Sequence, residues 1–325
     1  MKAVVMEKIG PPDVLQIKEV DKPTPKDNEV LVKVYATTVT QADRIMRSGD
    51  APLTPLLKPI ARKSMKKIIE KAGGILGNEL AGVIDSIGKN VKKFKPGDEI
   101  FASTSVENFG AYVEYRCIPE DGIIAIKPSN MSFGEAASVP MGGHTALFFL
   151  KKANIQKGQK VLIYGASGSV GTFAIQLAKY FGAEVTGVCS TSNLKMVKTL
   201  GVDKVIDYTK EDFSKNRDYY DIIFYTIGKN SYSRFKKALK RNGILLEAGM
   251  KPSHLLRSKW ASITVIGGVT AKNDIKSMNF LKELIEAGKL KSIIDKTYPI
   301  EQIVEAHAYV DKGHKKGNIV IKIVV

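Results

Sequence analysis

Val161-Leu162-Ile163-Tyr164-Gly165-Ala166-Ser167-Gly168-Ser169-Val170-Gly171 is the stretch whose reading decides the fold of this chain. A short apolar run stops at Gly165, and a glycine-bearing bend follows at once. From there Val170, Phe173, Ala174, Leu177, Ala178 and Phe181 recur at helical spacing, and Gly182 closes the helix. Strand, bend and amphipathic helix in that order are the context in which such glycines bind a dinucleotide rather than merely making a turn. Ala166–Gly171 fits that fingerprint, except that alanine stands where its first glycine belongs. Gly168 is expected to let backbone approach a pyrophosphate and Gly171 to let helix and strand pack closely. The helix N-terminus, with Ser167, Ser169 and Val170, is expected to face the phosphates.

Downstream, Glu184–Cys189 reads as the next strand and Leu194–Leu200 as a helix closed by Gly201. Lys204–Asp207, Asp221–Thr226, Gly243–Ala248 and Ile263–Gly267 supply further short apolar runs. Strand and helix alternate, which predicts an α/β fold with a doubly wound parallel sheet covered on both faces. Upstream the rhythm changes. Ala3–Met6, Val14–Lys18, Val30–Tyr35, Ala81–Ile87, Glu99–Ala102 and Ala111–Arg116 are strand-like runs parted by turns such as Gly10-Pro11-Pro12 and Lys95-Pro96-Gly97-Asp98. They predict an antiparallel β-rich domain. After Gly268 come a helix near Lys276–Ala287, a strand-like Ile294–Tyr298, a helix near Ile300–Val310 and a strand Asn318–Val324. Those elements would complete either domain, and a chain of 325 residues is long enough for two cores.

With 44% hydrophobic and 26% charged residues the chain reads as globular, not disordered. Cys117 and Cys189 make no disulfide framework, which suits a reducing, cytoplasmic setting. Glu7 and Lys8 interrupt the N-terminal apolar run, so no signal peptide is expected, and no apolar stretch is long enough to span a bilayer. The net charge of +17 draws anions in general, phosphorylated cofactors and nucleic acid among them. Most of it is scattered lysine, the mark of a solvated surface. Ala51–Gly74 concentrates Lys58, Arg62, Lys63, Lys66, Lys67 and Lys71 among apolar residues. It is expected to be a surface excursion beside a cleft; contact with nucleic acid or a membrane is the alternative.

The cofactor is read from the end of the second strand of the doubly wound sheet. An NAD-preferring site places a carboxylate there, about 20 residues past the loop, on the ribose 2′-hydroxyl. Here the residues are Cys189-Ser190-Thr191-Ser192-Asn193, and no acid occurs between Glu184 and Asp203. Hydroxyls and a cation accept a 2′-phosphate that a carboxylate would repel. Ser190, Thr191 and Lys195 are the candidates, and NADPH is the expected cofactor.

These motifs, together with Phe94-Lys95-Pro96-Gly97-Asp98-Glu99-Ile100 and Gly110-Ala111-Tyr112-Val113-Glu114-Tyr115, resemble the medium-chain dehydrogenase/reductase superfamily. Lys127-Pro128-Ser129, Ser132-Phe133-Gly134-Glu135-Ala136-Ala137, Pro140 and Thr145-Ala146 resemble its quinone oxidoreductase branch. The resemblance runs nearly end to end. It implies a GroES-like catalytic domain over residues 1–124 and 269–325, interrupted by a Rossmann domain over 125–268, with cofactor and substrate in the cleft and a homodimer as the assembly. It further implies Thr145 near the nicotinamide ribose, Thr226 and Gly249 along the cofactor groove, and Tyr208 near the 2′-phosphate.

In zinc-dependent members of the superfamily, a cysteine and a Gly-His-Glu histidine bind the metal. The matching positions here read Val39-Thr40-Gln41-Ala42-Asp43 and Gly77-Asn78-Glu79. Too few nitrogen or sulfur ligands remain for a catalytic zinc, and no metal is expected. Without a Lewis acid, reduction of a simple ketone to an alkoxide loses its support. Reduction of an enone or quinone builds a weaker base, which hydrogen-bond donors can stabilise. The resemblance therefore implies hydride transfer from NADPH to a small enone or quinone. Thr40 and Asp43 stand at the positions of the branch's asparagine and aspartate. Thr40 departs from that pattern, and Asp43 reads first as a residue that organises its loop and second as a catalyst. Tyr35 and Asn78 are further candidates for the cleft. The rival readings are a zinc-free alcohol or aldehyde dehydrogenase and a non-catalytic NADPH- or nucleic-acid-binding protein.

Overall fold

The computed structural model describes residues 1–51, 57–105, 109–227, 232–248, 263–267 and 274–323. The chain divides into two compact units, one of Met1–Met141, Lys272–Glu286 and Ile294–Val325, the other of Gly142–Ala271 and Ala287–Ile293.

In the first unit β1 (Lys2–Met6) pairs antiparallel with β2 (Leu15–Glu19). The long β3 (Glu29–Thr38) leads into α1 (Gln41–Ser48) and α2 (Lys58–Lys71), the latter being the basic segment. Next come β4 (Glu79–Ile87), β5 (Glu99–Ser103), β6 (Tyr115–Pro119), β7 (Ile123–Ile126) and α3 (Phe133–Ala137). The expected strand at Ala111–Arg116 begins only at Tyr115. Its first residues bond separately, Tyr112 N to Leu76 O and Val4 N to Tyr112 O, so no ladder forms there. α3 begins in a reciprocal capping box of Ser132 and Glu135, within the stretch that carries the family resemblance.

α4 (Val139–Lys152) crosses into the second unit, where β8 (Lys160–Tyr164), α5 (Ser169–Tyr180), β9 (Glu184–Cys189), α6 (Leu194–Lys198) and β10 (Lys204–Asp207) alternate. β11 (Tyr220–Tyr225), α7 (Tyr232–Ala238), β12 (Leu239–Glu247) and β13 (Thr264–Gly267) complete it. All six strands run parallel in the order β10-β9-β8-β11-β12-β13. This is the doubly wound order, whose direction of winding reverses beside β8, and ligands bind at the carboxyl ends of strands at such a point. Val161, Leu162, Ile163, Ile222, Ile223 and Phe224 are shielded from solvent, as strands covered on both faces require. Phe213 stacks on Phe235 with ring centroids 5.5 Å apart; truncating either ring is expected to cost about 3–5 kcal/mol.

The tail returns to the first unit through α8 (Ile275–Glu286), β14 (Ile294–Pro299), α9 (Ile303–Asp311) and β15 (Asn318–Lys322). β15 pairs antiparallel with β3, Val320 opposite Thr38, in the sheet β14-β15-β3-β4-β5-β7, while β6 also pairs with β3. That pairing decides what the sequence left open, namely which domain the tail completes. The cut also falls after Met141 and not after residue 124. β7 is laddered to β5, and α3 packs on β3, β4 and β15, so these elements share the first unit's core.

Candidate functional site

The bend after β8 turns on Gly165, whose φ of 91° suits glycine alone. The sequence reading gave the fingerprint's first position to Ala166; the tight turn is made one residue earlier. A Cβ on Gly165 would lie 2.4 Å from Thr226 Oγ1. Thr226 follows β11 directly, and its hydroxyl donates to Tyr164 O at 3.0 Å, holding the bend in place. A Cβ on Gly171 would lie 2.1 Å from Gly165 O, so helix and bend touch as the motif requires. At Gly168 the situation differs: among the described residues a Cβ there would meet only Gly165 O, at 3.5 Å. The described residues leave that side open.

Gly168 is the N-cap of α5 and brings no side chain to cap it. No acceptor among the described residues meets the N–H groups of Ser167, Ser169 or Val170. Unpaired N–H groups at a helix N-terminus, beside open space, are the donor set that a pyrophosphate takes. The residues present fit that group. Against the start of α5 packs Gly142 of α4, where a Cβ would lie 2.4 Å from Ser169 Oγ. Thr145 is half-buried one turn further along α4.

At the end of β9, Ser190 is half-buried, Thr191 and Lys195 are exposed, and Tyr208 is 46% exposed. Asn193 donates to Ser167 Oγ at 3.0 Å and Ser190 Oγ at 3.3 Å, tying the bend to the strand end. The end of β9 carries no acid of its own, but one reaches it from the neighbouring strand. Asp207, the last residue of β10, stands in register with Cys189, the last of β9. Its Oδ2 accepts from the Thr191 hydroxyl at 2.5 Å. Its Oδ1 accepts from the Thr209 hydroxyl at 2.7 Å and from Thr209 N at 3.0 Å. The Thr191 hydrogen bond, above all, holds this carboxyl below the usual aspartate range. The residue precedes Tyr208 and ends the predicted strand Lys204–Asp207, but the register that sets it opposite Cys189 is not written in the sequence. Gly249 lies outside the described residues.

The first unit holds the other candidates. Thr40 is the N-cap of α1 and forms a capping box with Asp43. The buried Asp43 carboxylate accepts from Thr40 N at 2.8 Å, Thr40 Oγ1 at 2.6 Å, Gly77 N at 3.0 Å and Asn78 Nδ2 at 2.6 Å. Thr40 Oγ1 in turn accepts from Asp43 N and Asn78 Nδ2. The single hydroxyl proton of Thr40 is thus committed to Asp43, and neither side chain is free to donate to a substrate. The geometry gives both a part in organising the loop, the first of the two readings of Asp43. Burial pushes Asp43 up to about 6 despite these donors.

Glu79, also buried, accepts from the Thr38 hydroxyl and from Met141 N at 2.7 Å, a first-turn N–H of α4. Burial raises its carboxyl to about 8 and lowers the Lys315 ammonium to about 8. Beyond it Arg47 Nε donates to His307 Nδ1 at 3.2 Å, which leaves the other ring nitrogen of His307 to donate to Tyr112 Oη, also at 3.2 Å. Burial and the Arg47 charge lower His307 to about 3, so it stays neutral. Sequence reading gave roles to none of these, since the partners are far apart along the chain. Tyr35 stacks on Phe133, ring centroids 4.5 Å apart. The donor set at Thr40 and Asn78 does not fit a zinc ion. A hydroxyl and an amide NH₂ point at Asp43 where thiolate and imidazole would offer lone pairs. Among the described residues no group of three or more His, Cys, Asp or Glu could hold a metal, and no helix is long and apolar enough to cross a membrane. α2 exposes Arg62, Lys63, Lys66, Lys67 and Lys71.

Comparisons with known proteins agree with this architecture. Residues 26–128 match the alcohol dehydrogenase GroES-like domain and residues 200–321 the zinc-binding dehydrogenase family. The chain is 32% identical to 2-methylene-furan-3-one reductase of Solanum lycopersicum, an alignment covering 99% of this chain and 79% of that protein. It is 31% identical to a chloroplastic quinone oxidoreductase of Triphysaria versicolor, over 94% and 92% of the two chains. The solved quinone oxidoreductase of Coxiella burnetii superposes with a TM-score of 0.88 at 27% identity, covering 100% of this chain and 99% of that one.

Proposed function

The chain belongs to the medium-chain dehydrogenase/reductase superfamily, in its quinone oxidoreductase-like branch, and from that premise we propose that it reduces a small enone or quinone with NADPH and without zinc. The observation that carries this reading is the bend at Gly168, where helix N-terminal donors without an acceptor among the described residues meet space those residues leave open. In it the backbone N–H groups of Ser167, Ser169 and Val170 bind the pyrophosphate. Ser190, Lys195 and Tyr208 receive the 2′-phosphate, and Thr145 lies along the nicotinamide ribose. Thr226 acts at one remove, by fixing Gly165. The bound cofactor supplies the hydride.

A reduced enone or quinone carries its charge as an enolate or quinolate, which ordinary hydrogen bonds support. A ketone's alkoxide needs stronger help, and the Thr40–Asp43–Asn78 cluster has no free proton to give it. Water is therefore the proton source in this reading, and the alcohol dehydrogenase alternative ranks below it. A cytoplasmic setting and a homodimer belong to the same proposal. The test is a fluorescence titration with NADPH, followed by turnover with small enones and ortho-quinones in the presence of a chelator. Saturable binding and chelator-resistant turnover are expected. A chain that ignores NADPH sinks the proposal.

A further inference from the structure

We infer that Asp207 is a specificity-determining residue that weakens the preference for a 2′-phosphorylated cofactor. The inference rests on the cofactor reading above and deepens it. Three observations converge at the strand end. The parallel register brings Asp207 beside Cys189, although Thr191 and Asp207 lie sixteen positions apart. Asp207 is only 5% exposed, and its carboxylate is covered by two threonine hydroxyls and Thr209 N, with the Lys210 charge a smaller influence and no ion pair formed among the described residues. Each hydroxyl has one proton, and although the two hydroxyl oxygens also lie 3.1 Å from each other, the Asp207 carboxylate is the stronger acceptor and takes both.

To any further partner Thr191 and Thr209 then have only lone pairs to offer. A surface of lone pairs over a buried anion suits a donor such as a ribose 2′-hydroxyl, and it repels a phosphate. The attraction for a 2′-phosphate must then come from Lys195, Tyr208 and Ser190, working against Asp207. Thr191, a phosphate-binding candidate on sequence grounds, changes role: it shields the carboxylate. The consequence is a cofactor site that takes NADH as well as NADPH, with a narrow ratio between them.

Asp207→Asn keeps the shape and an acceptor for Thr209 N while removing the charge. In a binding titration with each cofactor, this variant is expected to raise the ratio of NADPH to NADH affinity about tenfold, chiefly through tighter NADPH. Thr209→Val strips one hydroxyl from Asp207 and is expected to lower the same ratio about two- to threefold. The second variant decides alone if the first does not fold. A merely structural role would change both affinities together and leave the ratio in place. Ratios unchanged in the folded variants, or a fall in Asp207→Asn, overturn the inference while leaving the cofactor reading intact. Wild-type protein that binds neither cofactor overturns both.

Discussion

Two loops of this molecule each open a helix, and they do so in opposite ways. Thr40 starts α1 with a complete capping box, and Gly77 N and Asn78 Nδ2 add further donors to the same carboxylate. Gly168 starts α5 with no side-chain cap, and the first-turn N–H groups are left without acceptors among the described residues. A helix N-terminus has the same donors in either case. Where a side chain takes them, the loop is finished and rigid. Where glycine stands instead, the donors remain for an anion from outside. The polar residues that look most like chemistry are thus the ones already occupied, and the site that can still bind is made of backbone.

The largest effect that tests this contrast is at Gly168. A Cβ there meets no atom of the described residues closer than Gly165 O, and φ is −82°, so Gly168→Val is expected to fold. It fills the space beside the open donors. NADPH affinity should fall roughly 100-fold, the loss of about two hydrogen bonds to a charged group. Calorimetric titration with unchanged circular dichroism checks it, and unchanged affinity breaks the contrast at its stronger end.

The occupied loop should answer to pH. Asp43 in the folded chain titrates near 6, above its ordinary 3.8, because burial disfavours the charge. Its stabilising contribution is complete below pH 3.8 and is lost as pH rises through 6. Asp43→Asn cannot ionise. The wild type should lose about 3 kcal/mol relative to that variant between about pH 4 and 7, read from urea titrations at each pH. A flat difference would mean that the four donors outweigh burial.

Thr40→Ala removes the cap itself. It should cost about 1 kcal/mol of stability and reduce enone turnover less than about tenfold. A residue giving its proton in the reaction would cost roughly 10²–10⁴-fold, so this variant separates organiser from acid. The smallest effect concerns the charge on α2. Gel-shift assays with RNA should show retention at low salt that disappears by about 150 mM, where surface charges are screened. Retention that survives would revive the nucleic-acid reading.

Much of this protein was legible in its sequence because the deciding signals are local. Glu184–Cys189 and Lys204–Asp207 begin and end as strands where the apolar runs do. The Gly168 and Gly171 positions were readable from a strand, a bend and an amphipathic helix. The Ala111–Arg116 strand was misread because its first residues bond to two separate neighbours, which no local pattern records. Likewise Ala166 was given a turn that Gly165 makes, since the fingerprint spacing does not report φ.

The sequence alone determined the two-part architecture, the family and the place where a dinucleotide's phosphates would lie, since helical and strand periodicities and glycine positions act over a few residues. Only the tertiary structure decided where hydroxyl protons point and which acid faces which strand. Thr40 donates to Asp43 and Thr191 to Asp207, and β15 completes the sheet of β3. A hydroxyl has one proton to give, and the acceptor that takes it is chosen by neighbours in space, whether three positions away along the chain or sixteen.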